Sequence, residues 1–91
     1  MITKVEWNRV YRALRWVEVM RKNNPGSFTA IHERTGIGRE KNRVICQDLV
    51  THGYVGEIPL VANRRYLKLT QKGNRLYEAY EQFLEAVNDI I

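Results

Sequence analysis

The apolar residues change period along the chain, and those changes divide it into helical and extended stretches. Thr3 followed by Glu6 is a capping-box pair, whose hydroxyl and carboxylate can satisfy the free amides of a first helical turn. A helix is predicted from about residue 4 to residue 22. Val10, Leu14 and Val17 make one stripe at helical spacing, while Trp7, Tyr11, Trp16, Val19 and Met20 carry the apolar surface well beyond it. An outer helix of a small protein seldom needs two sticky faces. Asn23, Asn24, Pro25 and Gly26 end it. Ser27 is placed to cap a short second helix containing Phe28, Ala30 and Ile31, which closes near Thr35-Gly36. A third helix is predicted over roughly 39 to 52, with Asn42, Ile45, Cys46 and Leu49 inward and Gly53 at its C-terminal cap. Gly38 stands where a Ser or Thr cap is common, so this helix starts weakly capped.

After Gly53 the period falls to two. Tyr54, Val55 and Ile58 read as a strand interrupted by Pro59. In RRYLKLT, Tyr66 and Lys68 point one way and Leu67 and Leu69 the other. The spacing predicts a two-stranded hairpin over 54 to 69, its tip running from Pro59 to Arg64. Thr70 opens a last helix over 70 to 90, in which Gly73 costs roughly 1 kcal/mol relative to alanine. Leu76, Tyr80, Phe83, Val87 and Ile90 follow at spacings of 4, 3, 4 and 3, and Tyr77, Leu84 and Ile91 widen the stripe. Such a seam fits pairing with a second copy or covering of the chain's own core. Because the first helix also has apolar surface to spare, a homodimer is the preferred reading, with Trp7, Tyr11, Trp16, Tyr80, Phe83, Leu84, Val87, Ile90 and Ile91 at the interface.

A chain of 91 residues, 44% hydrophobic and 27% charged, suits one globular domain with one core rather than a disordered segment. Its short apolar runs exclude a membrane span, and the opening MITKVEWNRV lacks the apolar segment of a secretion signal. A lone Cys46 excludes an internal disulfide and any zinc site with more than one thiolate; it reads as a small buried hydrophobe in a cytoplasmic protein. Charge is unevenly spread. Residues 1 to 75 hold all 15 Lys and Arg against six acids, a balance of +9, whereas residues 76 to 91 hold four acids and no base. A basic body suited to a polyanion and a final helix facing elsewhere follow from that division. His32, His52 and Cys46 make no nucleophile–base arrangement, and no glycine-rich phosphate loop appears, so neither an enzyme nor a cofactor or metal is expected.

The order helix, helix, helix, hairpin, helix is that of a winged helix, and SFTAIHERTGIGREKNRVICQDLVTHGYV followed by RRYLKLTQKG resembles that family closely. Thr35-Gly36-Ile37 looks like the turn of a helix-turn-helix over 27 to 52, and Gly53-Tyr54-Val55 like the exit into the wing. Tyr66, Leu69, Thr70 and Gly73 resemble the second wing strand and following helix of MarR-like and PadR-like regulators. The terminal helices resemble the dimer-forming helices of small regulators, including archaeal and viral ones. The resemblance implies an α+β fold of three helices, a wing and a long C-terminal helix, and a homodimeric, sequence-specific regulator of transcription. Two positions depart from the pattern. His32 stands where a small apolar residue is usual, and Asn42 lies on the buried side of the third helix, where its amide needs a partner.

On the third helix, Arg43, Val44 and Gln47 face outward, as do Glu40 and Thr51. In a major groove Arg43 can donate to both guanine O6 and N7, Gln47 can pair with adenine N6 and N7, and Val44 can touch a thymine methyl. Arg39, Lys41 and Ser27 are expected at phosphates, which position a protein without specifying sequence. Arg64 and Arg65 are expected on the wing, in or near the minor groove, and Lys68, Lys72 and Arg75 are further candidates for phosphate contact. A dimer would carry two reading helices about 34–36 Å apart and favour palindromic double-stranded DNA. Repression is favoured over activation because no separate activation module is visible, and no residue identifies a small-molecule effector. A protein-interaction module on the same fold and an RNA-binding protein are the alternatives.

Overall fold

The computed structural model describes residues 3–61 and 64–90; for 59–61, 64 and 65 it describes the backbone alone. Helix α1 (Lys4–Lys22) starts at the expected capping box. Thr3 Oγ1 accepts from the Glu6 amide at 3.2 Å, and the Glu6 carboxylate accepts from the Thr3 amide at 3.4 Å. A two-residue strand β1 (Gly26–Ser27) leads into α2 (Phe28–Thr35), where Ser27 Oγ accepts from the Ala30 amide at 3.2 Å. Gly36 closes α2 in the left-handed conformation at φ 72°, which a residue without Cβ adopts at little cost. Then come α3 (Arg39–Thr51), β2 (Val55–Val61), β3 (Arg64–Leu69) and α4 (Gln71–Ile90). Gly38 offers α3 no side-chain cap. The sheet is antiparallel, in the order β1-β3-β2. The result is a winged helix-turn-helix.

Three features depart from the sequence reading. The sheet has a third strand, because Gly26 and Ser27 pair with Leu67 and Tyr66 of β3. The wing strands run further than expected: β2 passes through Pro59 to Val61, with a register irregularity between Ile58 and Val61. A bulge is where a strand can tolerate a residue without an amide hydrogen. The third departure is in α1, whose buried positions are Trp16, Val17, Val19 and Met20 with Ala13 packed alongside; Val10 is exposed. Trp16, expected at a dimer interface, is therefore a core residue of its own chain, fully buried and tilted against Phe28 at 5.7 Å between ring centres.

The core joins that α1 face to Ile31 of α2, Ile45, Cys46 and Leu49 of α3, and Val55, Leu67 and Leu69 of the sheet. Burying each large apolar side chain contributes about 1.5–3 kcal/mol, so these few residues decide whether the domain holds. Gly73 has a reason the pattern did not reveal. A Cβ there would lie 2.2 Å from the Tyr54 carbonyl oxygen, so glycine lets the start of α4 close onto the chain leaving α3. Thr70 fastens the same joint, its hydroxyl donating to Gly53 O at 2.6 Å and accepting from the Gly73 amide at 3.1 Å.

Candidate nucleic-acid interface

Helix α3 has a closed face and an open one. Asn42, Ile45, Cys46 and Leu49 are buried, whereas Arg39, Glu40, Lys41, Arg43, Val44 and Gln47 are exposed. Arg39, Arg43, Val44 and Gln47 line one open concavity of about 570 Å³, so the three expected base readers share a surface with one expected phosphate contact. Phe28 and Asp48 complete it. Sequence reasoning missed both: Phe28 comes from the preceding helix, and Asp48 is an exposed acid beside the expected readers. Val44 is 61% exposed, an apolar group in water among polar neighbours. Gln47 Nε2 donates to Thr51 Oγ1 at 3.3 Å, an exposed bond that water or a base edge can replace.

Other candidates lie further out. Ser27 is half-buried at the start of α2 and its oxygen is occupied as the helix cap. Lys41 is on the opposite flank of α3, lining a second groove with Arg9 and Arg12 of α1 and His52. That groove has a volume of about 870 Å³ and an apolar floor that includes Ala13 and Leu49. Lys68 and Arg75 are exposed. Lys72 is engaged within the chain: its ammonium donates to His52 O at 2.8 Å and lies over the Tyr54 ring, 4.4 Å from the centre. Arg64 and Arg65 are in β3, but their side chains lie outside the described residues.

The terminal helices meet near the body and stop short of their ends. Arg21 donates to Asn74 Oδ1 at 2.5 Å and lies over the Tyr77 ring at 5.4 Å. About one turn further out, the Tyr80 hydroxyl pKa is raised, first by loss of hydration and then by the nearby Glu18 carboxylate, with Tyr11 also close. Beyond this seam the apolar stripes are uncovered. Trp7 is 52% exposed, Tyr11 69%, Phe83 57%, Leu84 40% and Ile90 85%; Val87 is half-buried. Ile91, also expected at the interface, lies outside the described residues.

No protein-family model matches the sequence, and no curated protein matches it. Solved structures do. The PcaV transcriptional regulator from Streptomyces coelicolor superposes with a TM-score of 0.78 at 17% identity, over 87% of this chain and 60% of that one. The fold is that of winged-helix transcriptional regulators. BpsR of Bordetella bronchiseptica, a protein whose DNA binding is regulated by 6-hydroxynicotinic acid, aligns at TM-score 0.75 and 17% identity over 86% of this chain and 56% of its own. SSV1 F-93 aligns at TM-score 0.70 and 14% identity, over 88% of this chain and 92% of its own. The chain thus spans less than two thirds of PcaV and BpsR but nearly all of F-93. Among the described residues, no group of three His, Cys, Asp or Glu side chains could hold a metal ion, and no helix is long and apolar enough to cross a membrane.

Proposed function

We propose that this winged-helix protein is a sequence-specific, homodimeric DNA-binding regulator of transcription that sets the open face of α3 in a major groove. The carrying observation is that Arg43, Val44 and Gln47 are exposed together on the side of α3 opposite its anchored one. Arg43 and Gln47 offer the bidentate chemistry that distinguishes guanine and adenine, and Val44 matches a thymine methyl. Arg39 and Lys41 flank them as phosphate partners, with Ser27 at the α2 start, Arg64 and Arg65 on the wing, and Lys68 and Arg75 as outlying cations. A net charge of +5, concentrated outside the last helix, favours association with a polyanion.

In the proposed dimer, Trp7 and Tyr11 of α1 meet the Tyr80, Phe83, Leu84, Val87 and Ile90 stripe of a second copy. Exposed aromatic anchors continuing a seam that the chain has already begun support this pairing. Two copies would read a palindrome with half-sites about 34–36 Å apart, and occlusion of a promoter makes repression the favoured outcome. The working compartment is the cytoplasm.

Selection of duplexes from a random pool, followed by titration of the selected and scrambled sites at several salt concentrations, tests the reading. A palindromic preference with steep salt dependence is expected. Equal binding by wild type and an Arg43→Ala/Gln47→Ala double variant would remove the proposed readers. If no duplex binds while a protein partner engages Trp7 and Tyr11, the interaction-module reading replaces this one.

A further inference from the structure

Beside the open face of α3 lies a buried amide with an unusual number of partners. Asn42 has no exposed surface and sits immediately before Arg43. Trp16 Nε1 of α1 donates to its Oδ1 at 2.6 Å. Its Nδ2 has two hydrogens: one goes to Ile37 O at 2.9 Å, and Thr35 Oγ1, at 3.2 Å, and His32 Nδ1 converge on the other. Helix α1, helix α2 and the turn between α2 and α3 therefore converge on one side chain of α3.

The orientation of that amide follows from chemistry alone. An indole N–H can only donate and a peptide carbonyl can only accept, so Trp16 must face the oxygen of Asn42 and Ile37 must face its nitrogen. His32 Nδ1 lies on the nitrogen side and must accept. In that accepting role its ring is the tautomer with the proton on Nε2; it lies parallel to the Phe28 ring, 6.0 Å between centres at an interplanar angle of 7°. A proton on Nδ1 would set a donor against a donor.

We infer that Asn42 and His32 are positioning residues: they fix the rotation of α3 about its own axis, and with it the aim of Arg43 and Gln47. This rests on the reading of α3 as the duplex-facing helix. Ile45 and Leu49, inward on the same helix, are apolar, and apolar contact has no preferred direction. Hydrogen bonds do have one. A helix with side chains reaching about 5–6 Å from its axis moves their tips by about 2 Å for a 20° turn, enough to spoil a bidentate contact to a base. The departures at His32 and Asn42 from the usual apolar pattern thus form one device, shared between two helices.

The test uses the full chain. In wild type, nitrogen NMR of the imidazole should show a bare Nδ1 and a protonated Nε2 for His32; a proton on Nδ1 overturns the inference. Two variants are then titrated with a duplex selected from a random pool by the wild-type protein and with its scrambled counterpart. His32→Leu keeps bulk and loses the acceptor, and should lose about tenfold in preference for the selected site while binding scrambled duplex as before. His32→Asn supplies an oxygen near the Nδ1 position and should restore most of that preference. Equal weakening on both duplexes, or undiminished preference in His32→Leu, overturns the positioning role. Should His32→Leu fail to fold, the tautomer in wild type decides. If wild type binds no duplex, the DNA reading falls, and the same tautomer measurement still decides whether the amide is locked as described.

Discussion

Among the described residues, helices α3 and α4 each leave one side exposed, but the sides differ in kind. The open side of α3 is polar and cationic, with Val44 set among Arg39, Arg43 and Gln47. The open side of α4 is apolar, with Phe83, Leu84 and Ile90 exposed and the four acids of the last 16 residues as the charged complement. Water solvates the first at little cost and the second poorly. An exposed guanidinium can wait for a phosphate or a base, whereas an exposed aromatic stripe favours a second apolar surface. The contrast fits the two partners proposed above, a duplex for α3 and a second copy for α4.

The strongest way to break the contrast is to remove the body that holds both helices. Trp16→Ala should lower stability by about 3–5 kcal/mol, measured by chemical denaturation. Trp7→Ala, the same change two to three turns earlier, should leave the monomer within about 0.5 kcal/mol. Next, Phe83→Glu should raise the dimer dissociation constant by about thirtyfold or more, the scale of an interface hot spot. Sedimentation across a concentration series checks this, and a wild-type chain that stays monomeric at high concentration would refute the α1–α4 pairing. On the other helix, Arg43→Ala should lose about 1–3 kcal/mol of discrimination at its base pair, seen by comparing selected and singly substituted duplexes. A smaller effect belongs to Arg39→Ala and Lys41→Ala. Each should lower affinity for selected and scrambled duplex alike and flatten the slope of log affinity against log salt by about 0.9.

The smallest expected effect lies in the seam between α1 and α4. The folded state favours the neutral Tyr80 phenol, whose pKa is raised above 10.0. The stability this adds is complete below the ordinary tyrosine value and is lost as pH rises through the folded one. Thermal melts above pH 10.0 should therefore fall more steeply in wild type than in Tyr80→Phe.

Local chemistry made much of this structure readable from sequence. Thr3 with Glu6, Ser27, Gly36 and Thr70 each satisfy or terminate a helix end through their own backbone or hydroxyl, and neighbours a few residues away suffice to see it. The alternation of Leu67 and Leu69 with Lys68 needs no more than a period of two. The inward placement of Asn42 was equally visible, as was its need for a partner, but which partners it finds was not: Trp16 and His32 are 26 and 10 residues away. Strand β1 is too short for any period, and it exists because the edge of β3 offers it hydrogen bonds. The two apolar stripes of α1 looked alike in sequence. Only the packing of α2, α3 and the sheet decides that Trp16 and Met20 go inside while Val10 and Tyr11 stay out. Among the site residues, the exposure of Arg43, Val44 and Gln47 was legible from helical geometry, but the neighbouring walls supplied by Phe28 and Asp48 were not.

The joint between the last turn of α3 and the first of α4 has a mechanical corollary. Thr70 grips Gly53, Lys72 grips His52, and the missing side chain at Gly73 lets the backbone close to contact. In the proposed dimer, a tilt of α4 would pass through this joint to the foot of α3, and the angle at which the two copies' long helices cross would set the distance between their feet. A site whose halves are moved apart by a single base pair should then lose one of its two grips.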